Sequence, residues 1–159
     1  MMDEELILAT LFERVSQVRW SRPEDASPNT HRFETYSRRV KLYSDVPAQQ
    51  QPACFQAEHA TTEGQVSGMP YKTVLEASWL IYQCVGRDDR ALGVVENNII
   101  LTGVRAALAP TPLDQGFSDR RNTLGGLVYH CFISGRIFKD PGDIDKQGML
   151  VVPIKLLVP

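Results

Sequence analysis

Three histidines, three cysteines and a few clusters of charge are the places where this chain could do chemistry. His31, His59 and His130 lie in different stretches, with no spacing that would set two imidazoles on one metal ion. Cys54, Cys84 and Cys131 each sit in an apolar, strand-like run. No two share a C-x-x-C type spacing, so the sequence predicts three buried, reduced thiols and no nucleophile. His130 and Cys131 are adjacent, but neighbours on a strand point to opposite faces and cannot form a thiolate–imidazole pair. His130 is expected at the edge of the core, held by a neighbour, and His59 on the surface.

The acidic run Asp140-Pro141-Gly142-Asp143-Ile144-Asp145-Lys146-Gln147-Gly148 has a faint likeness to a calcium loop. Counting from Asp143, however, the twelfth position is Ile154, where such a loop needs a bidentate glutamate, and the flanks are strand-like. A hairpin loop with solubilising acids is the expectation. No phosphate-binding glycine loop, no G-x-S-x-G elbow and no H-E-x-x-H occurs. The sequence therefore predicts no catalytic residue, no cofactor and no metal.

Two basic pieces, Arg38-Arg39-x-Lys41 and Arg120-Arg121, could touch phosphate. With 17 Lys+Arg against 19 Asp+Glu, a formal net charge of -2, the whole surface has no field to capture nucleic acid. Aromatic interleaving is also missing. These pieces read as a solvated strand face or as contacts to another subunit.

The elements that must position these residues follow from periodicity. The chain has 159 residues, 43% hydrophobic and 23% charged, which suits one domain with one core. A helix is predicted over 3–18, capped by Asp3, with Leu8, Leu11, Phe12 and Val15 on its apolar stripe. A polar loop over 21–30 follows. From Phe33 the period becomes two, with Tyr36, Arg38, Val40 and Leu42 alternating with Ser37, Arg39, Lys41 and Tyr43 as far as the break at Val46-Pro47. A second strand is expected over 53–62, a turn around Gly64, Gly68 and Pro70, and a long central strand over 71–85. After a charged turn at 86–90, a second helix over 92–109 carries Ile100, Leu101, Val104 and Leu108, and Pro110 and Pro112 stop it. A loop over 111–123 leads to two last strands, 127–138 and 149–158, joined by a hairpin over 139–148. The expected fold is α+β, ordered helix, three strands, helix, two strands: a mainly antiparallel sheet of about five strands packed against two helices.

The final strand is apolar on both faces, interrupted only by Lys155, so it must be covered on both sides. Its own helices or a neighbouring subunit could do this. Pro153 cannot donate to a ladder and points to an edge or a bulge. The N-terminus is acidic where a secretory signal is basic. No apolar run approaches the roughly 20 residues that cross a bilayer, so a protein made in a cytoplasm with no membrane partner is expected.

The order of elements resembles the phage tail terminator (tail completion) family over nearly the whole chain. The residues that carry the likeness are Leu11-Phe12-Glu13-Arg14-Val15, the passage from Asp45-Val46-Pro47 to Pro52-Ala53-Cys54-Phe55-Gln56, and Trp79-Leu80-Ile81-Tyr82. To these are added Ala106-Ala107-Leu108-Ala109-Pro110, the run Gly125-Gly126-Leu127-Val128-Tyr129-His130-Cys131, and the strand from Val152 to Val158. The resemblance implies a homohexameric ring in the virion, at the head–tail junction. Such a ring meets the major tail tube protein on one side and head completion or connector proteins on the other, with DNA only passing through its lumen. It transfers no catalytic residues. Subunit or tube contacts are expected at Arg38, Arg39 and Lys41, and at Asp140, Asp143, Asp145 and Lys146 in the hairpin. A head–tail connector, or a minor tail or baseplate protein, would suit the same composition. A small enzyme using His130 or Cys131 is a more distant alternative.

Overall fold

The computed structural model describes residues 3–64, 68, 73–84, 92–110 and 120–158. Pro70, the first two and the last residue of the expected third strand, the charged turn at 86–90 and most of the 111–123 loop lie outside the described residues.

Helix α1 (Glu4–Glu13) starts as its sequence demands: the Asp3 side chain accepts from the Leu6 amide at 3.0 Å, and Glu4 and Glu5 occupy the positive first turn. The expected helix to Val18 is shorter. Its last turn tightens into a 3-10 turn at Arg14–Gln17, where the Ser16 hydroxyl takes the Glu13 carbonyl, and Val18 turns extended to bury its side chain in the core. Helix α2 (Gly93–Leu108) ends where Ala109, which precedes Pro110, is driven to an extended conformation. It buries Ile100, Leu101, Val104 and Leu108, the stripe read from its spacing.

Six strands form one sheet: β1 (Thr35–Ser37), β2 (Ala53–Glu63), β3 (Thr73–Cys84), β4 (His130–Ile133), β5 (Phe138–Asp140) and β6 (Gln147–Val158), ordered β1-β2-β3-β6-β4, with β5 also on β6. Five strands become six because the expected strand over 127–138 is broken. β4 pairs Leu157 to Ile154, β5 pairs Val151 to Met149, and residues 134–137 bulge away opposite Pro153. Pro153 has its carbonyl, which accepts from the Ser134 amide at 3.1 Å, on the β4 side, so its donor-less nitrogen faces the same gap. Gly135 turns the chain there with φ +103°. β6 is thus an interior strand.

The expected first strand contracts to β1, and its pairing with β2 is parallel, the exception in an otherwise antiparallel sheet. The connection over 38–52 is long enough to act as a crossover, as a parallel pair requires. It passes over the face opposite the helices through 3-10 turns at Tyr43–Asp45 and Ala48–Gln50. Val40 and Leu42, 45% and 71% exposed, show that the alternation there does not record burial.

The main core lies between the sheet and the helices. Leu75, Ala77, Trp79 and Ile81 of β3 and Leu150, Val152, Ile154 and Leu156 of β6 meet α1 and α2. A second, smaller cluster, with Val46, Ala53, Phe55 and Tyr82 at its centre, seals one end of the opposite face.

Candidate interaction surface

The two residue groups singled out in the sequence are linked through Tyr43, whose hydroxyl reaches the Lys146 carbonyl, while Arg38 turns to Glu58 and Glu5. Arg38 follows β1 and turns toward its own chain. Its Nε donates to Glu58 at 2.9 Å and its Nη2 to Glu5 Oε2 at 3.0 Å. Hydrogen bonding to Glu5 first, and then to Glu58, raises its pKa against the opposing effect of burial, and the same guanidinium lowers the pKa of Glu5. This cation has partners 33 and 20 residues away in sequence, which no local pattern reveals. Arg39 and Lys41 are exposed, beyond the end of the strand on which they had been placed. The Arg39 amide donates to Ser37 Oγ at 3.0 Å, and the Lys41 carbonyl accepts from the Tyr82 hydroxyl at 2.7 Å.

The hairpin after β5 is seated on the body. A Cβ at Gly93 would stand 1.8 Å from the Pro141 carbonyl oxygen, so only glycine lets α2 begin against the hairpin. Asn97 Nδ2 donates to the Asp140 carbonyl at 3.0 Å and the Met149 carbonyl at 3.3 Å, and Gln83 Nε2 donates to Asn97 Oδ1. Asp140 and Asp145 spend their carboxylates on the hairpin itself, accepting from the Gly142 amide at 2.9 Å and the Gln147 amide at 3.0 Å. Lys146 has φ +60° and receives the Tyr43 hydroxyl on its carbonyl at 3.2 Å. That bond joins the 38–50 crossover to the hairpin. What the tip offers outward is Asp143, Asp145, Lys146 and a fully exposed Ile144.

On the sheet face away from the helices, cross-strand pairing aligns Phe55, Leu80, Val151 and Phe138 in one row, and Ser78 with Pro153 in the next. Phe55 is sealed beneath the crossover. Leu80, Val151 and Pro153 are half-buried, and Phe138 is 45% exposed. Phe132 lies on the same face, stacked on His130 with ring centroids 4.7 Å apart, beside the ion pair of Lys155 with Glu76 at 3.7 Å. The two-faced apolar character of the last strand was the signal for this surface. Its inward face is covered by the chain's own helices, while among the described residues its outward face is covered at one end.

The residues weighed for catalysis are placed as follows. His130 Nδ1 accepts from the Asn122 amide at 3.2 Å. Cys131 is buried in the main core, on the opposite face from His130. Cys54 is buried, and burial pushes its thiol pKa up. Cys84, expected to be buried with the other two, is exposed as the last residue of β3. Among the described residues no group of three or more His, Cys, Asp or Glu side chains is arranged to hold a metal ion, and no described helix is long and apolar enough to cross a membrane.

Compared with protein-family models and with curated proteins, the chain matches none.

Proposed function

We propose that this chain is a phage tail terminator. In this reading copies of the chain form a ring, taken as a hexamer, that caps the head-proximal end of the tail tube. The ring ends polymerisation and gives head completion proteins a surface on which to dock. It acts in the virion at the head–tail junction after synthesis in the bacterial cytoplasm, and DNA passes through its lumen unread. The mechanism is steric and interfacial, with no bond made or broken.

One observation carries the reading: the half-covered apolar row Leu80–Val151–Phe138 on the sheet face away from the helices. Apolar surface in a contiguous row is stabilised by being taken out of water, at roughly 25 cal/mol per Å² buried. A partner that lies on the sheet supplies this burial. In a cyclic assembly one patch of each subunit meets a different patch of the next, so a flat apolar face and a projecting Ile144 on separate parts of the surface suit a ring. The non-catalytic part of the reading is supported by His130, whose Nδ1 is spent on a backbone amide, and by Cys131, which is turned into the core.

Deleting the gene from a phage that carries it separates this function from its nearest neighbours. A terminator defect gives overlong tails without heads. Tails of normal length that fail to attach to heads would instead assign the chain to the connector.

A further inference from the structure

The two edges of the sheet carry opposite charge at matching heights. After Phe55, β2 has no strand beside it on its outer side among the described residues, because β1 pairs only Ala53 to Phe55. This free stretch presents Glu63, exposed, and Glu58, whose Oε1 also takes Arg38, with Glu4 bound to Thr61 Oγ1 at 3.0 Å alongside. Among the described residues its backbone is open as well. On β6 the carbonyls of Pro153 and Leu157 serve the β4 side, so Leu156 and Val158 pair with Leu75 and Thr73, and Glu76 and Val74 turn to Ala60 and Thr62. By the alternation of an antiparallel ladder, Thr61 and Glu63 point their amide and carbonyl groups away from the sheet.

The opposite edge is basic. The Cys131 amide donates to the Asn122 carbonyl at 2.8 Å, which lays the 120–122 segment along β4 and sets Arg120 and Arg121 there. Arg121 stands 4.2 Å over the Tyr129 ring, and Arg136 is exposed in the bulge between β4 and β5. Following the register across the sheet, Thr61 is level with Leu75, Leu156 and Cys131, hence with Asn122 and its neighbour Arg121. Glu58 is level with Ala77, Ile154 and Ile133, three residues before Arg136. Asp143 and Asp145 lie toward the other end of the strands, beyond the row of Ala53, Tyr82, Met149 and Asp140.

We infer that copies of this chain associate head to tail through the two sheet edges, the acidic β2 edge of one copy meeting the Arg120/Arg136 edge of the next. The occupant of each edge is a second copy because the charges are complementary, the heights match and each copy carries both halves. A contact between unlike patches also propagates around a ring, where a contact between like patches would stop at a dimer. This inference rests on the ring reading above and adds the two sheet edges to the apolar sheet face as contacts between subunits.

A charge swap tests it. Glu63 and Arg136 are exposed, so reversing their charge spares the core. Association is measured by light scattering over a concentration series for the native chain, for Glu63→Arg, for Arg120→Glu with Arg136→Glu, and for all three changes together, with circular dichroism to verify the fold of each. The native chain should associate, and more weakly as salt is raised. Each one-sided variant should lose about tenfold in association, and the combined variant should recover most of it. Association that is unchanged in every variant, or a native chain that stays monomeric at all concentrations, would overturn the inference. A swap-dependent association that leaves tail tubes uncapped would uphold these edges and sink the terminator reading instead.

Discussion

The indole Nε1 of Trp79 donates to Gln56 Oε1 at 3.1 Å across the β2–β3 ladder, and the same glutamine gives its Nε2 to the Leu8 carbonyl of α1 at 3.0 Å. Both side chains are 0% exposed, so one amide fixes the seat of α1 on the sheet. Replacing it with an apolar residue leaves a buried N–H and a carbonyl without their bonds. Gln56→Leu should lower unfolding free energy by about 2–4 kcal/mol, read as a shift in the urea midpoint with little change in slope. A shift within experimental error would show that the staple contributes nothing.

Thiol accessibility follows the same burial map. In the native protein a thiol reagent should modify Cys84 quickly, while Cys54 and Cys131 react only on unfolding. Rapid modification of all three in the native state would contradict the packing of the core.

Gly93 abuts the hairpin where α2 begins. Gly93→Ala drives a methyl into the Pro141 carbonyl, so helix and hairpin must separate, at a cost of about 1–3 kcal/mol. Thermal melts of the variant should show the loss. A helix-stabilising gain, as alanine gives at open helical positions, would mean the contact is absent.

Asp25 gives a pH-dependent contribution. Its carboxylate accepts from the Arg22 amide at 2.7 Å and lies 2.9 Å from His31 Nε2, and these bonds, the Arg22 amide first, lower its pKa. A lowered folded pKa stabilises the protein above the ordinary value of 3.8, and that stabilisation disappears as pH falls through the folded value. The melting temperature of Asp25→Asn should lie below that of the native chain near neutrality and converge with it in acid. A gap that persists unchanged into strong acid would rule out this linkage.

Exposed apolar rows tell stability from function. Phe138 is 45% exposed, so Phe138→Ser should cost about 1 kcal/mol or less in stability, yet weaken self-association or tube capping severalfold. If assembly is untouched, the outer sheet face is not the contact.

Much of the fold was legible because burial leaves a period. The α2 stripe was readable residue by residue, while β6 was readable as a strand apolar on both faces, without the alternation that its burial follows. Alternation over 33–46 misled because a strand also needs a partner. β2 accepts only three residues of β1 before Arg38 turns to Glu5 and Glu58. Pro153 marked an irregularity, but where the partner strand would open depended on Gly135 and on the length of the bulge. The proposed surface was legible only as a strand with two apolar faces. Which face the helices take is decided by contacts between residues far apart in the chain.

The central claim is that copies of this chain act together at the end of a tail tube. Negative-stain imaging of purified tail tubes mixed with the chain tests it most directly. A ring of density should cap one end, and tube growth should stop there, whether or not the free protein is already a ring. Bare ends on tubes that keep growing, with the chain remaining monomeric in solution, would contradict it.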